Sequence, residues 1–472
     1  MDHQKQDIAI HWFRQDLRLA DNPALTLAAK HESVLPIYIL DDVNSGDRAM
    51  GAASRVWLHH ALDALSKSLG RNLALYIGDP KAILQDIAKR HNITAIYWNR
   101  CYEPWRIKRD AAIKSKLQEL GVKVKSTNGS LLWEPWTIKN KEGNPYKVFT
   151  PFYRKGCVSA ASPRNPLPAP HEANYIRDQN GSNTVDTLRL LPNISWHKSL
   201  EPIWEFGEQG AHARLKNFMD QNLDNYKDAR NIPSLMAVSK LSPYLHFGEI
   251  SPNQIWHRLR SFEINDHIDS FCSELGWREF SYHLLYNMPD MPTKNIQPKF
   301  DNFPWAHDPA ALHAWQKGQT GIPMVDAGMR ELWQTGYMHN RARMIVASFL
   351  IKNLQIDWRH GERWFWDTLF DADLANNAAS WQWVAGCGTD VAPYFRIFNP
   401  VTQGQKFDPD GVYIRQYLPE IAALPNKYLF SPWDAPAHIL AEADVQLGDN
   451  YPQPIVDLKL SRDIAQSKFA AL

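Results

Sequence analysis

Short apolar runs alternate with amphipathic stretches through the first 130 residues of the chain. DIAIHWF, VLPIYIL, LALYIG, AIYWNR and VKVKS read as strands, while RVWLHHALDALSKSLG, PKAILQDIAKRH and WRIKRDAAIKSKLQELG repeat apolar residues at helical spacing between them. This β-α-β succession predicts a parallel, doubly wound sheet with ligands at the C-terminal ends of its strands. Asp21, Asn22 and Pro23 read as a cap and first helical turn. From about 131 to 208 the pattern gives way to SPRNPLPAPHEAN and DQNGSNT, rich in proline and turn formers, which predicts a long inter-domain connection. Beyond residue 209 helical signals dominate and strand signals are scarce. The expected organisation is an α/β domain over 1–130, a linker over 131–208 and an all-α domain over 209–472.

Composition changes this picture in few places. At 472 residues the chain exceeds one hydrophobic core, which agrees with two domains. Lys+Arg 52 against Asp+Glu 51 leaves a net charge of +1, so nucleic-acid binding would need a local basic patch rather than a bulk field. Cys101, Cys157, Cys272 and Cys387 form no CxxC pair, which argues against structural zinc and a disulfide framework, and for a reducing, cytoplasmic setting. MDHQKQDIAIHWF lacks the apolar core of a signal peptide, and no segment has a membrane-spanning run, so a soluble protein without membrane contact is expected. No GxGxxG or GxxxxGK[ST] follows the first strand, and the sheet by itself announces no nucleotide. The chain holds 19 tryptophans, most of them beyond residue 250, and residues of this size ordinarily fill cores.

Three stretches carry candidate chemistry. In SKLSPYLHFGEISPNQIW, Ser242-Pro243 and Ser251-Pro252 mark helix starts whose free N–H groups suit phosphate oxygens, although Ser-Pro is also plain helix punctuation. In SELGWREF, Glu274, Trp277, Arg278 and Ser281 recur at helical spacing, so one face offers a carboxylate, an indole and a guanidinium. That set suits a flat heteroaromatic ligand, and equally an amphipathic helix with one buried tryptophan and an ion pair. In YMHNRARMIVASF, Asn340 and Met344 share a face flanked by Arg341 and Arg343, arginines that need carboxylates or phosphates as partners.

With these stretches the sequence resembles the DNA photolyase and cryptochrome flavoproteins. The resemblance runs through HWFRQDLRLADNPAL, YKDAR, KLSPYLHFGEISP, ELGWREF, GIPMVDAGMREL, GYMHNRARM, IDWRHGER, DADLANNAASWQW and APYFRIFNPVTQGQKFDPDG. Within the family it is most similar to the cyclobutane pyrimidine dimer photolyases, and WNRCYEPW and NGSLLWEPW resemble the class III branch close to plant cryptochromes. The resemblance implies a Rossmann-like antenna domain, a helical FAD domain and a monomer that repairs UV-damaged DNA. The photoreceptor activity of a cryptochrome, signalling through a partner, is the alternative.

By this resemblance Tyr226 and the segment Ser239, Lys240, Leu241, Ser242 surround the FAD phosphates. The family usually has Gly-Thr-Ser where this chain reads Ala237-Val238-Ser239, so one phosphate-binding hydroxyl is missing. Arg343 and Asp371 match the pair beside the isoalloxazine, Asp373 a further flavin contact and Asn377 the residue facing N5, where plant cryptochromes typically carry Asp. Glu274, Trp277, Asn340, Arg341, Met344 and Trp383 match the lesion pocket, with Arg230, Arg278 and Gln403 as further DNA contacts. A fused dimer stacks and pairs poorly, so it flips from the duplex at low cost; photolyases are a standard example of base flipping. Trp381, Trp358 and Trp315 match an electron relay from the surface to oxidised flavin. Glu103 and Lys294 match positions used by folate-binding members, which implies methenyltetrahydrofolate as antenna, with deazaflavin or a second flavin as alternatives. No metal is expected.

Overall fold

Five strands, β1 (Ile8–Phe13), β2 (Ser33–Leu40), β3 (Ala74–Ile77), β4 (Ala95–Asn99) and β5 (Lys123–Thr127), form one sheet in the order β3-β2-β1-β4-β5. Every pairing is parallel, with Ile10 of β1 opposite Leu35 on one side and Ile96 on the other. All residues of β1 and β2 are buried, as expected where helices cover both faces, and this is why they read as continuous rather than alternating apolar runs. Helices Ala52–Ser68, Pro80–Arg90 and Pro104–Glu119 supply the crossovers, and Ile10, Trp12, Leu35, Ile37, Ile96 and Trp98 centre the core. Asn22 caps helix Pro23–Ala28, its Oδ1 accepting from the Leu25 N–H at 3.0 Å, as its place before Pro23 predicts.

This computed structural model describes residues 7–390 and 397–472, and the chain divides into two compact units. The first comprises Met1–Gln221, Ser239–Pro289 and Phe370–Ala375; the second comprises Asn222–Val238, Asp290–Leu369 and Asn376–Leu472. In the first unit, residues 131–208 carry short helical turns, among them Phe149–Pro151 running into Phe152–Cys157. Bridges Val34 to Tyr175 and Leu75 to Ser182 lay this stretch on β2 and β3, so β3 is not left as a bare edge. Helices Gly207–Gln221, Ser242–Phe247, Pro252–Arg260 and Asp266–Asn287 complete the first unit.

Strand order reverses between β1 and β4, where a doubly wound sheet ordinarily opens a ligand crevice. Here the chain's own polar groups occupy that position. Asn99 Nδ2 donates to Asp16 Oδ2 at 2.6 Å and to Asn22 Oδ1 at 2.7 Å, and Arg14 pairs with Asp110. Burial pushes the Asp16 carboxyl up, but His11, the Arg14 N–H and Asn99 together hold it down at about 2. The chain's own side chains thus occupy the crevice, and no phosphate-binding fingerprint follows β1.

The second unit is helical, with Pro309–Lys317, Pro323–Thr335, Asn340–Ser348, Trp358–Thr368, most of Leu374–Ala385, Pro400–Phe407 and Leu458–Ala470 as its main helices. Its described residues contain no strand, in agreement with the expected helical C-terminal region. No helix among the described residues is long and apolar enough to cross a membrane.

Candidate functional site

In the first unit, Lys240 takes a left-handed backbone with φ of 51° and turns the chain into helix Ser242–Phe247. The first Ser-Pro step does mark a helix start, but Leu241 and not Ser242 stands at the cap position, and it offers no side-chain cap. The second step behaves differently. Ser251 closes a capping box with Gln254 and also donates to Asp21, so there Ser-Pro is punctuation. Ser242 Oγ donates to Asp371 Oδ2 at 2.5 Å, which ties one expected flavin carboxylate to the expected phosphate segment.

Asp373 is buried beside three partners of the same unit: Tyr282 donates to it, His246 Nδ1 lies 3.9 Å away, and Arg278 adds positive charge. Burial raises its carboxyl, but His246, Arg278 and Tyr282 outweigh this and hold it at about 2, so it is ionised at neutral pH. The Tyr282 phenol is pushed far up by burial and by Asp373, and so remains a donor.

Helix Asp266–Asn287 presents Glu274 and Trp277 one turn apart, both half-buried. Trp277 stacks on Phe149 with ring centroids 3.7 Å apart and planes at 11°. Arg278 corrects the sequence reading. Its guanidinium donates to the Ser130 carbonyl at 2.8 Å, pairs with Glu279 and lies over the Tyr282 ring, with a side chain only 12% exposed. Four residues from Glu274, Arg278 lies only about 40° round the helix from it, so its partners Ser130 and Glu279, rather than its helical position, take the guanidinium into the interior.

In the second unit, Tyr226 is buried beneath the Arg230 guanidinium, 5.3 Å from its ring. His339 caps helix Asn340–Ser348, accepting from the Arg341 N–H, and the helix displays Asn340 exposed and Met344 half-buried, with the Asn340 amide 3.9 Å from the Met344 sulfur. Arg341 is held by Asn231 Oδ1 at 2.6 Å and by the face of Phe407 at 4.1 Å; Arg343 donates to the Met338 carbonyl. Gln403 is half-buried on helix Pro400–Phe407. The APYFR end of the resemblance block, residues 392–396, lies outside the described residues.

Asn377 is held one way round. Its Nδ2 donates to the Glu362 carbonyl at 2.9 Å and to Glu362 Oε1 at 3.1 Å, which uses both amide hydrogens and leaves Oδ1 as the end without a hydrogen bond among the described residues. One turn on, Trp381 packs against Gly361, where a side chain would come within 2.1 Å of the indole, so only glycine permits the approach. Trp383 is half-buried two residues further along.

Trp315 and Trp381 meet edge to face at 6.3 Å, with Phe365 5.0 Å from Trp381. Trp358 donates to Asn295 Oδ1 at 2.9 Å. Trp315 and Trp358 are 0% exposed and Trp381 2%, so the expectation that these three reach the surface is corrected: none does. Further tryptophans of this unit have solvent access, Trp305 and Trp333 among them. Trp305 is half-buried, and its neighbour Ala306 bonds Gln355 close before Trp358; Trp333 is 57% exposed and stacks flat on Trp364, which precedes Phe365. Burial would have separated inner from outer tryptophans, and one sequence does not display it. Gln382 was also missed as a structural residue: wholly buried, it donates to the Met291 and Lys294 carbonyls and accepts from the Ile296 N–H, pinning that loop.

Of the expected antenna residues, Glu103 is buried in the first unit, 3.3 Å from Arg106 Nε. Lys294 belongs to the second unit, exposed and paired with Asp290 at 2.8 Å. No group of three or more His, Cys, Asp or Glu among the described residues could hold a metal ion.

Groups that suit a flavin occur on each unit taken by itself: an uncapped helix start and two carboxylates in the first, and in the second an aromatic, a guanidinium and the Asn377 amide oxygen left without a hydrogen bond among the described residues. Comparison with known proteins agrees. Residues 9–171 match the DNA photolyase family, and residues 271–471 match the FAD binding domain of DNA photolyase. A deoxyribodipyrimidine photo-lyase of Agrobacterium fabrum is 46% identical over 471 residues, 98% of either chain. Cryptochrome-2 of Arabidopsis thaliana is 38% identical, over 96% of this chain and 77% of that one. The crystal structure of a bacterial class III photolyase from Agrobacterium tumefaciens superposes with a TM-score of 0.94 at 44% identity, covering 100% of this chain and 98% of that chain.

Proposed function

The chain belongs to the DNA photolyase and cryptochrome family, and on that premise we propose that it is a deoxyribodipyrimidine photo-lyase that splits cyclobutane pyrimidine dimers in UV-damaged DNA under blue light. FAD, when bound in its reduced form and excited by light, supplies the electron that opens the two C–C bonds of the cyclobutane ring and takes it back. The chain supplies orientation and electrostatics. Asn377 supports repair over photoreception: with Nδ2 engaged by Glu362, its Oδ1 can accept the N5–H of a reduced flavin but cannot protonate it. Asp373, ionised, would accept a ring N–H, and Arg343 with Asp371 would hold the edge where negative charge collects. Tyr226, Ser239, Lys240, Leu241 and Ser242 would take the phosphates.

For the lesion, Trp277 and Trp383 would give apolar walls, and Glu274 would hydrogen-bond the dimer and steady the charge it receives. Asn340, Arg341, Met344, Arg230 and Gln403 complete the DNA contacts in this reading. Arg278 is left out, because its guanidinium is engaged inside the first unit. Trp381, Trp358 and Trp315 form the inner part of an electron relay, and Trp305 and Trp333 are its candidate solvent ends. We assign residues 1–130 to antenna binding, 131–208 to the connection and 209–472 to FAD and lesion binding, with methenyltetrahydrofolate near Glu103 and Lys294, in a cytoplasmic monomer.

Duplex DNA bearing cyclobutane dimers, mixed with chemically reduced protein, tests the reading: dimers disappear in blue light and persist in the dark. Bound flavin with no light-dependent loss of dimers would favour the photoreceptor.

A further inference from the structure

Trp277 is one layer of a longer aromatic stack. Tyr153 lies parallel to Phe149, with centroids 5.6 Å apart and planes at 7°, and Phe149 lies parallel to Trp277 at 3.7 Å and 11°. Phe280 closes the side, edge-on to Trp277 at 5.9 Å and 74°. The stack is built into the backbone. Tyr153 sits against Gly276, where an added Cβ would come within 2.4 Å of its ring, and the neighbouring Arg154 pairs with Asp269 of the same helix at 2.5 Å. Trp277 remains half-buried, and no ring among the described residues covers the face opposite Phe149.

We propose that Phe149 is the positioning residue for Trp277: the stack of Tyr153, Phe149 and Trp277 fixes the plane of the indole, and the flipped pyrimidine dimer becomes its next layer. An indole free to rotate about χ2 loses that freedom when a base stacks on it, and the loss opposes binding. An indole already held parallel to Phe149 and flanked edge-on by Phe280 loses little. The effect acts on the flipped base alone, because undamaged duplex keeps its bases stacked inside the helix. The inference rests on the reading of Trp277 as a lesion wall.

Dark equilibrium binding of the full-length, FAD-loaded protein tests it, using one duplex with a single cyclobutane dimer and the same duplex undamaged. Phe149→Leu weakens dimer binding by roughly tenfold and leaves undamaged binding unchanged, and Phe149→Tyr, which keeps the ring, restores affinity to within about twofold. In a Trp277→Leu background Phe149→Leu adds less than about twofold, because the ring it positions is gone. Equal losses in the two backgrounds, or equal losses on both duplexes, would overturn the proposal and reduce Phe149 to a core residue. If Phe149→Leu fails to retain flavin, Tyr153→Leu carries the same cycle, with an expected loss of about threefold that again vanishes without Trp277. A Trp277→Leu protein that still discriminates the dimer removes the premise rather than the coupling, so the two failures are distinct.

Discussion

Asn377 and Glu362 show how much depends on the direction of a single amide. With Nδ2 bonded twice to Glu362, the oxygen end is presented, and a lone asparagine in NNAAS does not disclose which way it points. Glu362→Leu removes one of the two acceptors and lets the amide turn. The expected result is light-driven reduction of oxidised flavin slowed by about tenfold, read from the flavin absorbance, the cost of about one misdirected hydrogen bond. Asp373 supplies a second test. Its carboxyl is lowered from 3.8 to about 2 in the fold, so it stabilises the folded state above 3.8 and that contribution fades as pH falls from there towards 2. Asp373→Asn should lower the melting temperature at neutral pH and flatten its fall between about 4 and 2, measured by circular dichroism. For the relay, Trp381→Phe should abolish light-driven flavin reduction while chemically reduced protein still repairs; loss of both would assign Trp381 to packing instead.

At the level of elements, the sheet and its crossover helices are legible because buried parallel strands and amphipathic helices impose strong periods on the sequence. VLPIYIL and PKAILQDIAKRH become β2 and helix Pro80–Arg90 with nearly the predicted bounds. The turns of residues 131–208 carry no such period, and their ties are made by single groups, such as the bridge from Leu75 to Ser182. Glu274 and Trp277 share a face as their spacing predicts, but the inward turn of Arg278 depends on Ser130, distant in sequence and without any local signal. Glu249 is a tie of the same kind, accepting from Trp57 Nε1 at 2.8 Å and from the Gly207 N–H at 2.6 Å inside the first unit. Burial raises its carboxyl from 4.5 to about 8 against the opposing pull of those two donors. The folded state therefore retains a proton that the unfolded chain releases, and the stability Glu249 confers is full below 4.5 and lost as pH rises to about 8. Glu249→Gln cannot titrate, so the decline in melting temperature across that window should become shallower; an unchanged slope would mean that another group is responsible.

For the whole molecule, a net charge of +1 means that the proposed DNA contact has to be local, and Arg230 and Arg341 of the second unit are the candidates for it. The family was legible because its blocks run in order along nearly the whole chain, whereas depth inside the fold was not, as the burial of Trp315 shows. In the proposed cycle an electron lent to the dimer returns to the flavin. Single-turnover illumination of the anaerobic, chemically reduced protein bound to a duplex with one cyclobutane dimer tests this most directly, by measuring restored pyrimidines and reduced-flavin absorbance in the same sample. The expected result is repaired DNA with reduced flavin undiminished at the end of the turnover. Absence of repair, or one flavin left oxidised for every dimer split, would contradict it.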